Sequence, residues 1–559
     1  MAGGGLRISS GPRWIIVFEV EIPSPGLPWA LRGRSRRPPN RAWWIMTRQT
    51  RHESPPGRSG GIDRVVIMGG GSAALLAAAA FARHLPDIEV VVVRSTKIGI
   101  IGVGEGTIAT IGRFLHEYLG IDPLRFHAEV HPSIKLGIQF DWGAETPYHY
   151  SFAPQFSSGN PAQAGFSHPL GDFCDEDATY ANLSSSLMYH GKVSVADPKG
   201  RPVQSPRFAY HLENGRFVGF LESWVREHGI ESVDAVVERV EVDEQGVKSL
   251  HLDDGREITA DLYLDCSGFR SELLGAALEE PFVSFKDALP CDRAVVGGWH
   301  RTDETYHAFT TAQAMDSGWS WRIEHDEIIN RGYVFASDFI SDDAAEAEFR
   351  RVNPNLTDTR IIRFRSGFHR RSWVKNVVAI GNSAGFVEPL EATAIGFMST
   401  AIDHLVAFIR TGGGAVADVH RDLYNRHQEG NWLQTRDFLA MHYKVNRLDQ
   451  SEFWDACRRD QPLGDAQEIL DYYTAVGPDF RALQSRLRTD VFGAEGYLSI
   501  LVGQRVPHRR ERGPGRTERE NWTRWKGECG LRGRGGVGMT DYLASIRRGD
   551  LRLRFGRTA

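Results

Sequence analysis

A glycine-rich turn near residue 70 has the composition of a phosphate-binding loop. The segment Gly69 to Ala74 reads GGGSAA and follows the apolar run Asp63 to Met68. Gly69 permits a tight turn, and Gly71 allows the backbone to approach a pyrophosphate closely. The free N–H groups and the positive dipole end of the following helix also favour phosphate. The candidate dinucleotide ligands are therefore Gly69, Gly71, Ser72, Ala73 and Ala74, the last replacing the third glycine of the usual fingerprint.

A second candidate cofactor-binding residue, Arg94, follows the next β-branched run, IEVVVV. An acidic residue ordinarily stands here and holds the adenosine ribose. An arginine is compatible with two interpretations. It could bind a 2'-phosphate, as in NADP, or the ribose could be held by backbone groups or by a neighbouring side chain.

These residues need a β-α-β unit to position them, and the pattern around the turn predicts one. A strand at Asp63–Met68, a helix at Ser72–His84 and a strand at Ile88–Val93 fall within about thirty residues. From about Thr400 the pattern is mainly helical. Further short strands are predicted at Leu250–Leu252, Leu262–Asp265 and Val377–Ile380. We therefore predict an α/β fold with a mainly helical C-terminal part.

The two ends of the chain differ in composition from this patterned body. Residues 1–62 contain ten arginines and no lysine, and residues 508–538 contain eight arginines and repeated glycines. Such segments bury too little apolar surface to offset the entropy of ordering. We expect 1–62 to be a disordered leader and 506–559 to be irregular apart from a short helix, Met539–Arg548. We favour disordered extensions, or sequence that results from a misplaced start and a local frameshift, over nucleic-acid-binding tails. Met46 is a candidate internal start.

Composition also bounds the class of protein. The chain has 559 residues, 41% of them hydrophobic, which suffices for a large core and two or more modules. A net charge of -5 gives no case for nucleic-acid binding or a polybasic membrane anchor. The five cysteines include no CxxC pair, so no metal site and no disulfide framework are predicted, and a reducing cytoplasm is expected. The apolar run Trp14–Ile22 is too short to span a bilayer, and we predict no export signal.

Further segments of the chain have distinctive motifs. They are Ile101–Thr107 (IGVGEGT), Ser133–Trp142 (SIKLGIQFDW), Asp265–Ser271, Leu289–Ala294, Ser317–Ile323 (SGWSWRI) and Trp373–Ile395 with its EPLEATA run. These segments resemble the motifs of the flavin-dependent tryptophan halogenases, occur in the order found in that family, and extend the resemblance over about residues 63–505. Two departures are Glu324, where the family signature WxWxIP has proline, and Ala392-Thr393-Ala394, where the family often has Ser-Thr-Gly.

The resemblance implies catalytic roles for Lys135 as the family's essential lysine and for Glu391 as its catalytic glutamate. It implies a backbone site for halide at Thr393 and Ala394. Spacing alone would leave Lys135 an ordinary surface lysine whose stem packs on apolar neighbours. A halide beside free N–H groups is physically reasonable, because such a turn is an anion nest.

The resemblance further implies a Rossmann-like FAD-binding halogenase domain of the glutathione-reductase type at 63–400, followed by a helical substrate-binding module at 401–505. The strap beside the flavin ring would contain Gly102, Val103 and Gly104. The other implied FAD-binding residues are Val237, Asn382 and Ile395.

The implied chemistry uses FADH2, O2 and chloride or bromide to form hypohalous acid, which reaches Lys135. The lysine either positions it by a hydrogen bond or traps it as a chloramine, and Glu391 polarises the halogen species and takes the ring proton. No second nucleotide fingerprint appears, so we expect a separate flavin reductase as partner. Neither nucleic acid nor membrane is an expected partner, and a homodimer is compatible with the resemblance.

The substrate is expected to be a small aromatic in an apolar pocket. By resemblance, Tyr150, Phe152 and Phe492 belong to that pocket. The usual anchors for an amino-acid carboxylate are not found, so tryptophan, indole and a larger indole derivative remain alternatives.

Two other functions compete with halogenation. An NAD(P)H-dependent flavin hydroxylase of aromatics is favoured by Arg94 and Glu324. It is opposed by Lys135, by the pair Trp319 and Trp321, and by the EPLEAT run. The other is an FAD-binding relative without catalysis.

Overall fold

The computed structural model describes residues 61–99, 102, 104–143, 147–153, 179–180, 182–205, 207–447, 450–487, 490–509 and 515–555. The predicted leader lies outside the described residues except for Gly61 and Ile62, and so does Val103, one of the predicted FAD-binding residues.

Strands dominate the first three-quarters of the described chain. They are β1 (Arg64–Met68), β2 (Glu89–Arg94), β3 (Glu105–Gly106), β4 (Ser133–Lys135), β5 (Gly137–Asp141), β6 (Tyr148–Ser151), β7 (Ala209–Leu212), β8 (Glu231–Asp234), β9 (Val237–Asp243), β10 (Gly246–Leu252), β11 (Glu257–Ile258), β12 (Leu262–Asp265), β13 (Phe282–Ser284), β14 (Arg293–His300), β15 (Phe309–Met315), β16 (Gly318–Glu324), β17 (Ile328–Phe335), β18 (Thr359–Arg363), β19 (Gly367–His369), β20 (Trp373–Val374), β21 (Val377–Ala379) and β22 (Gly385–Phe386).

Helices lie between the strands and then replace them. They are α1 (Ser72–His84), α2 (Pro123–Glu129), α3 (Leu183–Tyr189), α4 (Asn214–Glu227), α5 (Asp342–Val352), α6 (Ala394–Thr411), α7 (Asp418–Lys444), α8 (Glu452–Asp460), α9 (Ala466–Val476), α10 (Phe480–Arg486), α11 (Gly493–Gly503), α12 (Arg516–Arg534) and α13 (Met539–Arg547). Among the described residues, no helix is both long enough and apolar enough to cross a membrane.

A six-stranded sheet, ordered β20-β21-β12-β1-β2-β8, contains the predicted nucleotide unit. β1 pairs in parallel with both β2 and β12, and α1 connects β1 to β2. The predicted β-α-β unit is therefore confirmed. The apolar, β-branched residues of β1 and β2 are buried, as expected for a parallel sheet that helices cover. Residues 73–81 of α1 are all buried, and their small alanine side chains let the helix lie close to the sheet.

A seven-stranded sheet, ordered β18-β14-β17-β16-β15-β5-β6, forms the other large layer. β16 carries Trp319 and Trp321, which are both buried and, being two residues apart, lie on one face of the strand. A small sheet, β3-β7-β4, lies beside these layers and ends at Lys135, which pairs with Ala209.

The C-terminal part is helical, as predicted, but one prediction about its end is wrong. The segment interpreted as irregular contains α12, in which Trp522 and Cys529 are buried. These two residues are seven apart and share one helical face. Arginine and glycine content misled the prediction, because the apolar spacing rather than the mean composition determines burial. The Ser186 hydroxyl of α3 donates to the Cys529 carbonyl at 2.8 Å. The helix predicted from Met539 is confirmed as α13.

Candidate active site

The glycine turn lies at the carboxyl end of β1 and lines an open groove. Gly69 has φ +143°, and a Cβ there would lie 2.3 Å from the carbonyl oxygen of Cys266, so the position requires glycine. Gly71 has open space around it, as a backbone that approaches a ligand needs. The predicted ligands Gly69, Gly71, Ser72 and Ala73 all line this groove, together with Val237.

Ala74 does not line the groove; it is fully buried in the core. Its assignment as a ligand therefore stays a prediction, and it could apply only to the backbone N–H in the first turn of α1. Its small side chain serves the close contact of α1 with the sheet, which is the role of the third glycine in the fingerprint.

Arg94 lines the same groove, but its charge is already satisfied. Its Nη1 donates to Oε1 of Glu222, and its Nε donates to the Ser232 hydroxyl at 3.3 Å. A guanidinium held by a carboxylate is a poor partner for a 2'-phosphate. The NADP interpretation therefore loses its support.

The groove continues into a second cavity that reaches Lys135. The two share the lining residues Glu105, Phe269, Ile380, Asn382 and Met398. Gly104, which was predicted to contact the flavin, also lines the second cavity. A groove that begins at a phosphate-binding turn and ends beside an amine has the form needed for an extended dinucleotide. The residues present fit FAD.

Two predicted FAD-binding residues lie away from the cavities. Gly102 is exposed, and its carbonyl accepts a hydrogen bond of 2.7 Å from Arg360. The Ile395 side chain is buried in the core. Ala394, Phe397 and Ala401 of α6 line the cavity. Because a helix repeats every 3.6 residues, Ile395 points away from that face, and its side chain is not a ligand.

Lys135 is fully buried at the end of β4. Its Nζ has no hydrogen-bond partner among the described residues and lies 5.5 Å from the centroid of the Phe152 ring. A Cβ added at Gly106 would lie 3.4 Å from this nitrogen and 3.2 Å from the Cβ of Ala392. Burial lowers the pKa of Lys135 to about 7, against the opposing attraction of the Glu391 carboxylate.

Glu391 ends the short 3₁₀ turn Pro389–Glu391 and is 4% exposed. Its Oε1 lies 2.9 Å from Nε2 of His442, without hydrogen-bond alignment between the two groups. Neither nitrogen of His442 has another hydrogen-bond partner among the described residues. Its ring packs against Phe140 and Phe438. A buried acid and an imidazole thus lie side by side near the lysine, an arrangement suited to proton transfer.

The predicted halide residues begin α6 directly after this turn. Ala392 has φ 55°, a left-handed conformation that is uncommon for alanine and that redirects the chain into the helix. Thr393 and Ala394 line the cavity. The first turn of an α-helix leaves its N–H groups without acceptors inside the helix, and its dipole end is positive. This end of the cavity is therefore suited to a small anion.

Sequence reasoning assigned no role to two titratable residues of this region, His442 and Glu105. His442 stands in the run DFLAMHY of α7, and its position on the buried face with Phe438 was the available signal. Glu105 lines both cavities, and burial raises its pKa to about 7.

The three predicted substrate residues do not line the two cavities, and the Phe152 ring lies near the Lys135 amine. Tyr150 and Phe152 belong to β6 and the residue after it. Phe492 stacks on Phe438 with ring centroids 3.7 Å apart. A Cβ added at Gly496 would lie 3.0 Å from both the Tyr150 hydroxyl and Phe438. Tyr150, Phe438 and Phe492 therefore form one aromatic wall beside α11.

Comparison with known proteins agrees with this geometry. The sequence model of the tryptophan halogenase family matches residues 64–516. The tryptophan 7-halogenase KtzQ of Kutzneria sp. (strain 744) is 32% identical over 419 residues, which cover 70% of this chain and 78% of KtzQ. The tryptophan 7-halogenase RebH of Lentzea aerocolonigenes is 31% identical over 411 residues, which cover 69% of this chain and 77% of RebH.

Solved structures give the same result. MibH, described as a lathipeptide tryptophan 5-halogenase, has a TM-score of 0.80 and 33% identity, over 89% of this chain and 95% of MibH. BrvH, a flavin-dependent halogenase from Brevundimonas sp. BAL3, has a TM-score of 0.76 and 29% identity, over 87% of this chain and 99% of BrvH. The chain belongs to the tryptophan halogenase family and is a flavin-dependent halogenase, an oxidoreductase.

Proposed function

We propose that this protein halogenates an indole-type aromatic with FADH2, O2 and chloride or bromide, through Lys135 and Glu391. The observation that carries the proposal is the pairing of an unpartnered buried amine with a buried carboxylate at the end of a groove suited to a dinucleotide. Burying an ionisable group without a partner costs free energy, so its presence beside a cavity points to chemistry.

The glycine turn would hold the FAD pyrophosphate, with Val237 lining the groove beside the turn. Gly104 and Asn382 would lie against the flavin part, because both line the cavity next to Lys135. When bound, reduced FAD supplies the oxidation of halide by O2 to hypohalous acid. Thr393 and Ala394 would hold the halide by the N–H groups of the first turn of α6.

Lys135 in its ammonium form would hold hypohalous acid by a hydrogen bond to its oxygen. As the halogen passes to a ring carbon, the ammonium gives a proton to the departing hydroxide, and water leaves. Glu391 takes the proton from the same ring carbon, which restores the aromatic ring. A proton returned from Glu391 to the amine resets both groups, so the cycle needs no net proton from solvent. A cycle without net proton exchange is compatible with a site that is closed to solvent.

His442 would hold the Glu391 carboxylate in place as a positioning residue. It is fully buried and lies 2.9 Å from the carboxylate oxygen. If the role is positioning, the change His442→Phe should lower kcat and leave FAD affinity unchanged.

We further propose that reduced flavin comes from a separate reductase in the cytoplasm. The glycine turn of β1 and α1 is the single nucleotide fingerprint found in the sequence. The described cysteines Cys266, Cys291, Cys457 and Cys529 are buried thiols, which is typical of a reducing compartment.

The hydroxylase alternative receives no support from its two favouring residues. Arg94 is bound to Glu222. Glu324 is bound by Arg301 at 2.6 Å and by Arg322 at 2.9 Å, and it is almost fully buried. An ion-pair cluster thus accounts for the glutamate that replaces the signature proline.

The test is a coupled assay with FAD, an NADH-dependent flavin reductase, and chloride or bromide, offered indole, tryptamine and tryptophan. We expect halogenated product, identified by isotope pattern, that requires both the reductase and the halide. Hydroxylated product without halide dependence would establish the hydroxylase instead. Bound FAD with no product from any substrate would indicate the non-catalytic relative.

A further inference from the structure

A chain of buried hydrogen bonds leads from the backbone to the cavity beside Lys135. It consists of Ser133 at the start of β4, His211 in β7 and Thr310 in β15. The Ser133 hydroxyl donates to the carbonyl oxygen of Glu324 at 2.5 Å and lies 3.2 Å from Nδ1 of His211. Nε2 of His211 lies 2.8 Å from the Thr310 hydroxyl. Ser133 and His211 are fully buried, whereas Thr310 lines the cavity.

The direction of each hydrogen bond in this chain follows from the number of protons available. A carbonyl oxygen only accepts, so Ser133 donates its single proton there and can only accept from His211. Nδ1 of His211 therefore carries a proton. Burial lowers the pKa of His211 well below its ordinary value, and the charge of Lys135 acts in the same direction, so the ring is neutral and Nε2 is an acceptor. The Thr310 hydroxyl consequently donates to Nε2.

Thr310 thus presents only lone pairs to the cavity. Its one hydroxyl proton is bound to His211, so the oxygen can accept a further hydrogen bond but cannot donate one. The Lys135 amine lies in the same part of the cavity. A Cβ added at Gly106 would lie 3.4 Å from Nζ of Lys135 and 3.6 Å from Oγ1 of Thr310. A small molecule beside Gly106 therefore meets an ammonium donor and a hydroxyl that can only accept.

We infer that Thr310 binds the hydroxyl proton of hypohalous acid while Lys135 binds its oxygen, so that the halogen atom faces the aromatic ring. The inference rests on the proposed function. Hypohalous acid has one O–H group and one oxygen, and the two side chains offer the matching acceptor and donor. No covalent bond to Thr310 forms or breaks: the halogen passes to the ring carbon, the departing hydroxide takes a proton from the ammonium group, and water leaves. His211 is a positioning residue, because it fixes the Thr310 proton and touches no reactant.

A substitution at Thr310 in the FAD-loaded protein tests this role. Thr310→Val has nearly the same shape and lacks the acceptor. We expect hypohalous acid to form as before but to escape, so bleaching of monochlorodimedone, a trap for the free acid, should rise. Halogenated aromatic product per reduced flavin consumed should fall at least about tenfold, as loss of one hydrogen bond to a reactant predicts. Thr310→Ser keeps the hydroxyl and should restore both quantities towards the wild type.

Thr311→Val is the matched control, because Thr311 is the next residue of β15 and lines a different cavity on the other face of the sheet. It should change neither the product yield nor the bleaching of the trap. FAD affinity should be the same in the wild type and all three variants. A wild-type yield from Thr310→Val would overturn the inference. A loss of product that Thr310→Ser shares, or that accompanies weaker FAD binding, would also overturn it by showing a structural role.

The tautomer of His211 can be measured without turnover, by NMR of the resting protein labelled with ¹⁵N-histidine. We expect Nδ1 to be protonated and Nε2 to be unprotonated. The Nε2 resonance should shift in Thr310→Val, which identifies this ring among the histidines. A ring protonated at Nε2 would overturn the inference, because Thr310 would then keep its own proton for the cavity.

Failure of the proposed function would look different from failure of this inference. The wild type would then yield neither halogenated product nor free hypohalous acid, whatever the tautomer of His211, and the role of Thr310 would be overturned with it. If only the inference is wrong, the wild type halogenates the aromatic and Thr310→Val does so equally well.

Discussion

Lys135 combines two properties that conflict in an ordinary protein: it is fully buried, and its amine has no hydrogen-bond partner among the described residues. Burial lowers its pKa to about 7, so both the charged and the neutral amine are populated near neutral pH. The charged form can donate a hydrogen bond, and the neutral form can act as a nucleophile. The same burial that lowers the pKa of the amine should also lower the stability of the folded protein.

We therefore predict that Lys135→Met raises thermal stability while abolishing halogenation. We expect the variant to be more stable because the folded-state pKa of Lys135, about 7, lies below its ordinary value of 10.5. The cost of the buried charge is fully present below pH 7 and diminishes as the pH rises towards 10.5. Thermal melts of wild type and variant from pH 6 to 9 should show the variant more stable, with the gap narrowing at high pH. A variant less stable at every pH would contradict this account.

Some roles of single residues could not be predicted from the sequence pattern. Lys135, Glu391, Thr393 and Ala394 could be named only through resemblance, since nothing in their spacing distinguishes them. Nε2 of His442 lies 2.9 Å from Oε1 of Glu391, although the two residues are 51 positions apart in the sequence. No local sequence pattern encodes such a contact.

At the scale of elements, the sequence predicted the helices and strands that have a clear local pattern of apolar residues. The glycine turn, α1 and the flanking strands lie where predicted, because β-branched runs, small helix formers and a glycine with positive φ are local signals. The pairing of β3, β7 and β4, which places Lys135 beside Gly106, joins distant segments and was not predicted. α12 was missed because composition was weighted above the spacing of its buried residues.

We predict that α12 is part of the folded core. Trp522 is 3% exposed and packs in the cluster that contains Tyr497 of α11 and Tyr473 of α9. Trp522→Ala should lower the free energy of unfolding by about 3–5 kcal/mol, as large-to-small core changes do. Leu531→Ala is the matched control on the same helix, since Leu531 is 72% exposed and its loss should cost under about 0.5 kcal/mol. Equal effects in chemical denaturation would show that α12 does not pack on this core.

At the scale of the whole molecule, the two large sheets and the helical part have separate roles in one site. The six-stranded sheet presents the glycine turn, and the cavity beyond it contains Lys135 and the start of α6. β6 and α11 supply the aromatic wall. The site thus lies where the dinucleotide groove meets the helical part. In the proposed mechanism, this arrangement would separate formation of the oxidant from its use.

The most direct measurement compares the wild type with Lys135→Ala in the reductase-coupled assay, by mass spectrometry of the aromatic product. The account predicts halogenated product from the wild type, loss of at least about a hundredfold in the variant, and the same FAD affinity in both proteins. Halogenated product at an undiminished rate from Lys135→Ala would contradict the central claim that this buried amine delivers the halogen.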